Sequence, residues 1–76
     1  MKSVTILLDT IEKVRKFVNQ ISRYEGDFDI ISDRYIIDAK SIMGIFSLDL
    51  SRPLKLCIHS EEAFPEILKE FEEFIV

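Results

Sequence analysis

Read for its alternation of apolar and polar positions, the chain opens with a strand. Lys2 to Leu8 (KSVTILL) sets Val4, Ile6 and Leu8 on one side and Ser3, Thr5 and Leu7 on the other. The period then changes from two to 3.6. Ile11, Val14, Phe17, Val18 and Ile21 fall on one stripe, with Lys13, Arg15, Lys16 and Asn19 on the rest of the surface, which predicts an amphipathic helix ending near Tyr24. Asp9 is its expected N-cap, Glu12 three residues later closes a capping box, and Glu25-Gly26 is the expected stop. Phe28–Ile31 and Tyr35–Ala39 read as two short strands around a tight turn at Ser32-Asp33-Arg34.

After Arg52-Pro53 the alternation returns: Leu54, Leu56 and Ile58 point one way, Lys55, Cys57 and His59 the other. The last segment has the clearest helical stripe, Phe64, Ile67, Leu68, Phe71, Phe74 and Ile75, with Pro65 in the first turn. Glu66, Lys69, Glu70, Glu72 and Glu73 form its solvated face. The predicted order is β-α-β-β-(short α)-β-α in one domain over residues 1–76. Its short connections favour an antiparallel sheet with helices on one face, an α+β fold. Leu7, Ile31, Ile36 and Cys57 are then expected on the open face, which points to a partner or a homodimer through that face.

Between the second pair of strands and Pro53 lies a stretch of different texture, Ala39–Leu48 (AKSIMGIFSL). Small residues (Ala39, Ser41, Gly44, Ser47) interleave with apolar ones (Ile42, Met43, Ile45, Phe46). A short helix over Ile42–Ser47, capped by Ser41, has only one stripe to bury. Ile45 and Leu48 are expected in the core, leaving Ile42, Met43 and Phe46 partly exposed. Met beside Phe is a common composition for protein docking.

Composition narrows the function classes. The chain is 47% apolar and 32% charged, with only two Gly and two Pro, a globular composition. Ten basic against fourteen acidic residues give a net charge of −4, unfavourable for direct nucleic-acid binding, whose affinity comes mostly from phosphate neutralisation. The one cysteine, Cys57, offers neither an internal disulfide nor a metal cluster. No signal peptide is visible at Met1-Lys2 and no apolar run approaches membrane-spanning length, so the expected compartment is the cytoplasm. No paired-carboxylate site, nucleotide loop or metal-ligand spacing is present, so neither an enzyme nor a cofactor is expected.

From Ser22 through Leu50, and most specifically at Lys40-Ser41-Ile42-Met43-Gly44, the chain resembles the HPr family of phosphocarrier proteins of the bacterial sugar phosphotransferase system. The resemblance implies an HPr-like open-faced β-sandwich: a four-stranded antiparallel sheet with three helices on one face. Family members carry phosphate on a histidine at the start of the first helix, followed by an arginine and a proline. Aligned on that segment, Thr10 stands at the histidine position, Glu12 at the arginine position and Lys13 at the proline position. A threonine hydroxyl without an adjacent base is a weak nucleophile, and the carboxylates of Asp9 and Glu12 repel a phosphoryl group. His59, in the final strand, is the only histidine and does not replace it by position.

In Gram-positive members the serine of KSIMG is phosphorylated by a dedicated ATP-dependent kinase, and the product binds a LacI-type catabolite repressor. That residue here is Ser41. The chain thus resembles the catabolite-repression HPr-like branch, which lacks the histidine and keeps the serine, although it has also replaced the arginine and proline. The resemblance implies a regulatory protein of carbohydrate uptake and catabolite control, with partner contacts at Lys40, Ile42, Met43 and Phe46. Two other readings stand beside it: a constitutive binding or assembly module without phosphate chemistry, and a carrier using an unexpected residue.

Overall fold

The computed structural model of the chain describes residues 2–76; Met1 lies outside them. The elements run β1 (Lys2–Ile6), α1 (Ile11–Ile21), β2 (Phe28–Ser32), β3 (Tyr35–Asp38), α2 (Ile42–Phe46), β4 (Leu54–Ile58) and α3 (Phe64–Glu70), with 3-10 turns at Glu61–Ala63 and Glu72–Phe74. The four strands form one antiparallel sheet in the order β1-β4-β2-β3. The fold is α+β, an open-faced sandwich with three helices on one face of that sheet.

Register decides the two faces. Val4 pairs with Leu56 and Ile6 with Leu54, while Ile30 lies between Leu56 and Ile37. These side chains turn toward the helices, which return Val14, Phe17, Ile21, Ile45, Ile67, Phe71 and Phe74 to the same core. Phe17 meets Phe71 and Phe74 edge-on, with ring centroids 5.5 Å and 5.7 Å apart, the arrangement in which ring edge faces ring face. Through these three rings α1 is bound to the C-terminal segment.

Several local expectations change. β1 ends at Ile6, not Leu8: Ile6 still pairs with Leu54 of β4 while its other edge bridges Ile75, and beyond it the Leu7 N–H donates to the Phe74 carbonyl (2.8 Å). The N-cap of α1 is Thr10, whose hydroxyl accepts the Lys13 N–H at 3.0 Å, in place of the expected Asp9–Glu12 box. With the cap one residue later, Glu12 falls at the second helical position, too early to reach back to the cap. Ile11, expected on the buried stripe, is 61% exposed, because it starts the helix before the stripe meets the sheet.

Helix α1 stops at Ile21, and residues 22–27 form the turn that brings the chain back, with Gly26 at a φ of 104°, a conformation that a side chain resists. The β2–β3 turn has two residues, Asp33 and Arg34, and Asp33 takes a positive φ of 53°. The long C-terminal stripe is not one helix. It divides at Phe71, where the backbone leaves helical geometry before the 3-10 turn at Glu72–Phe74.

On the open face, Ser3, Cys57, Asp29 and Asp38 form one row, and Thr5, Lys55, Ile31 and Ile36 the next. Ile36 is 67% exposed and Ile31 half-buried, but Cys57, small and flanked on both sides by neighbouring strands, is only 3% exposed. Leu7 is half-buried. The expected four-residue apolar patch is therefore a mixed face with a single exposed large apolar side chain, Ile36, among these four.

Candidate functional site

Two helix starts carry the positions singled out in the sequence. At α1, Thr10 is exposed, and its hydroxyl is occupied as an acceptor by the backbone N–H of Lys13. The Lys13 ammonium turns back to the Asp9 carboxylate at 3.0 Å, an i,i+4 pair. That hydrogen bond is the main reason the Asp9 carboxyl titrates below the ordinary carboxylate range. Glu12 stands exposed in the first turn. The helix start thus presents an internally neutralised Asp9–Lys13 pair and one further carboxylate, with no arginine at the position that the family uses.

At α2, Ser41 is exposed and caps the helix by accepting the Gly44 N–H at 3.2 Å. Gly44 sits close to its neighbours: a Cβ there would lie 3.2 Å from the Ser41 hydroxyl, tight enough to press on the cap, and in ordinary contact with Ile37 Cδ1 at 3.5 Å. Ser47 closes the helix, its hydroxyl donating to the Gly44 carbonyl. Only Ile45 is fully buried; Ile42 and Leu48 are half-buried against the core. Met43 is 77% exposed and Phe46 39%. Helices α1 and α2 pack against each other.

Lys40 does something its sequence position did not reveal. Its ammonium donates to the Tyr24 carbonyl (2.6 Å) and the Gly26 carbonyl (3.2 Å) and sits over the Phe28 ring, 5.4 Å from the centroid. It closes the turn after α1 and is not directed at Ser41. Of the four expected contact residues, Met43 and Phe46 are presented, Ile42 is shared with the core, and Lys40 is committed to the backbone.

Another group escaped sequence reading, because its members lie far apart in the chain. His59 Nε2, just past the end of β4, is 2.7 Å from Asp29 Oδ2 on β2. With Asp27, Phe28 and Asp38 they line an open pocket of about 270 Å³. Among the described residues, no group of three or more His, Cys, Asp or Glu side chains is placed to hold a metal ion. No helix among them is long and apolar enough to cross a membrane.

No protein-family model matches the chain, and no curated protein matches it. Among solved structures, it is similar to HPr-C-His from Thermoanaerobacter tengcongensis, with 30% identity over 95% of this chain and 92% of that one and a TM-score of 0.72. That likeness takes in nearly the full length of both chains, not the KSIMG segment alone. The chain belongs to the HPr family of phosphocarrier proteins.

Proposed function

We propose that this chain is a non-enzymatic, cytoplasmic member of the HPr family that regulates carbohydrate uptake or catabolite control through protein contacts, with Ser41 as a phosphorylation site. The observation that carries the reading is the contrast between the two helix starts. Thr10, at the histidine position, has its hydroxyl engaged by Lys13 and carboxylates at Asp9 and Glu12 on either side. Ser41 is exposed, at the start of the helix that presents Met43 and Phe46. The partners are protein: an HPr-type serine kinase and a LacI-type repressor, with no direct contact to nucleic acid. A phosphate added at Ser41 places about two negative charges beside Met43 and Phe46 and changes which surfaces can dock there.

The test is incubation with ATP and an HPr kinase from a Gram-positive bacterium, followed by intact mass. One phosphate on the wild type and none on Ser41→Ala is expected. No gain on wild type, or equal gain on both, removes the proposal.

A second reading is favoured by Lys40. Because its ammonium is held by the carbonyls of Tyr24 and Gly26, it is not free to offset a phosphate on Ser41. On this reading α2 docks partners constitutively, and Ser41→Ala retains full partner affinity. A carrier role has the least support: phosphoenolpyruvate and the system's first enzyme should leave no acid-labile phosphate on the chain.

A further inference from the structure

We infer that the free edge of β3 is a self-association site, at which two copies of this chain join their sheets antiparallel about a two-fold axis. The sheet has two edge strands, β1 and β3. The C-terminal half of the outer edge of β1 is covered by the chain itself, through Leu7 N–H to the Phe74 carbonyl, Val76 N–H to the Thr5 carbonyl (3.1 Å) and the Ile6–Ile75 bridge. Among the described residues, nothing pairs with the outer edge of β3. An unpaired strand edge is a template for another strand.

The phase of the hairpin says which groups that edge offers. Ser32 and Tyr35 flank a two-residue turn and face each other, and the Ala39 N–H donates to the Phe28 carbonyl at 2.8 Å. Odd-numbered residues of β3 therefore bond inward to β2, and the N–H and C=O of Ile36, with the N–H of Asp38, point outward. The Asp38 carbonyl is already used by the Ser41 N–H.

Charge selects the register. With Ile36 opposite Ile36 of a second copy, Arg34 lies opposite the second copy's Asp38, and the same pair forms again on the other side of the axis. Both residues are exposed, and among the described residues neither has an ion-pair partner. The Asp38 carboxylate is aimed by the Lys40 N–H (2.9 Å). Moving the centre to Ile37 sets Arg34 against Lys40, and moving it to Asp38 sets carboxylate against carboxylate. Of these registers centred within β3, the Ile36-centred one gives two cation–carboxylate pairs, and it also covers the 67% exposed Ile36.

A two-fold axis perpendicular to the sheet keeps both helical layers on the same side. The dimer then displays Met43 and Phe46 twice on one face, since α2 lies over β3 through Gly44 and Ile37. The inference does not depend on phosphorylation of Ser41.

Sedimentation equilibrium over about 10 μM to about 1 mM tests it, the range suited to a small interface. The wild type is expected to dimerise, and Arg34→Glu and Asp38→Lys each to weaken dimerisation about tenfold or more while keeping the wild-type circular dichroism. Mixing the two variants restores association, because the introduced glutamate of one copy then meets the introduced lysine of the other, while the remaining Arg34 and Asp38 still pair. A wild type that stays monomeric at about 1 mM, or a dimer indifferent to both variants, overturns the inference. So does a mixture that associates no better than its components. Should Asp38→Lys fail to fold, Ile36→Pro, which removes only an outward N–H, takes its place and is expected to abolish the dimer.

Discussion

The Tyr24 hydroxyl donates a hydrogen bond to the Glu70 carboxylate, fastening the turn after α1 to the last residue of α3. Tyr24 also stacks edge-on against Phe28 and its carbonyl receives the Lys40 ammonium, so three elements meet at one residue. Tyr24→Phe keeps the ring and removes the bond to a charged acceptor. It should lower the unfolding free energy by about 1–2 kcal/mol, read from urea denaturation. Burial first, then the Glu70 carboxylate, hold the phenol well above its ordinary value of 10.0. The raised group contributes stability below the unfolded pKa and loses it as pH rises toward the folded one. Wild type should therefore lose more stability above about pH 10 than Tyr24→Phe does, and equal losses would remove this account.

Thr10 is a cap before it is anything else. Thr10→Ala should cost about 1 kcal/mol, and Thr10→Ser much less, because the hydroxyl that accepts the Lys13 N–H survives. Thermal melts of the three proteins decide the point. A loss shared equally by Ala and Ser would assign the effect to the missing methyl group instead.

The Asp9–Lys13 pair lies at the surface with both side chains partly exposed, and its effect is confined to a pH window. A carboxyl held below the ordinary 3.8 adds stability above that value and loses it as pH falls through the lowered pKa. Lys13→Met retains the backbone N–H at the cap and removes the ammonium. The gap in melting temperature between wild type and Lys13→Met should be largest near neutral pH and close below about pH 3. It should also shrink in about 1 M salt, where screening acts within a few ångströms.

On α2, stability and docking separate by position. Ile45→Ala empties part of the core and should cost about 2–5 kcal/mol. Met43→Lys, at a residue 77% exposed, should leave the unfolding free energy within about 0.5 kcal/mol. If α2 is the docking element and the proposed LacI-type repressor its partner, Met43→Lys should nonetheless abolish that binding in surface plasmon resonance. Unchanged binding would move the docking site elsewhere.

How far these features were legible follows from the range of the interactions that make them. Strand faces and the two helical stripes depend on spacing alone, and Val14, Phe17 and Ile21 are buried as their period implies. The cap of α1 was displaced by one residue because Asp9 and Thr10 can both cap, and only the path of the chain out of β1 decides between them. Ser41, with no competitor beside it, capped where it was expected. The Lys40 staple and the Asp29–His59 pair had no local signal, since their partners lie many residues away. The break at Phe71 was equally silent: a buried aromatic stripe continues through a 3-10 turn almost as well as through a helix.

The pairing of β1 bears on the order in which the molecule assembles. Every residue that β1 meets in the sheet, in β4 and at Ile75, comes from the last third of the chain. The β2–β3 hairpin needs a loop of only two residues and closes on the microsecond scale, whereas β1 has to wait for the ends of the chain to find each other. The first strand in sequence is thus the last to be secured in the sheet. On this order, changes at Ile6 or Ile75 should mainly speed unfolding and changes in the hairpin mainly slow folding, which folding and unfolding rates measured across a urea series would check.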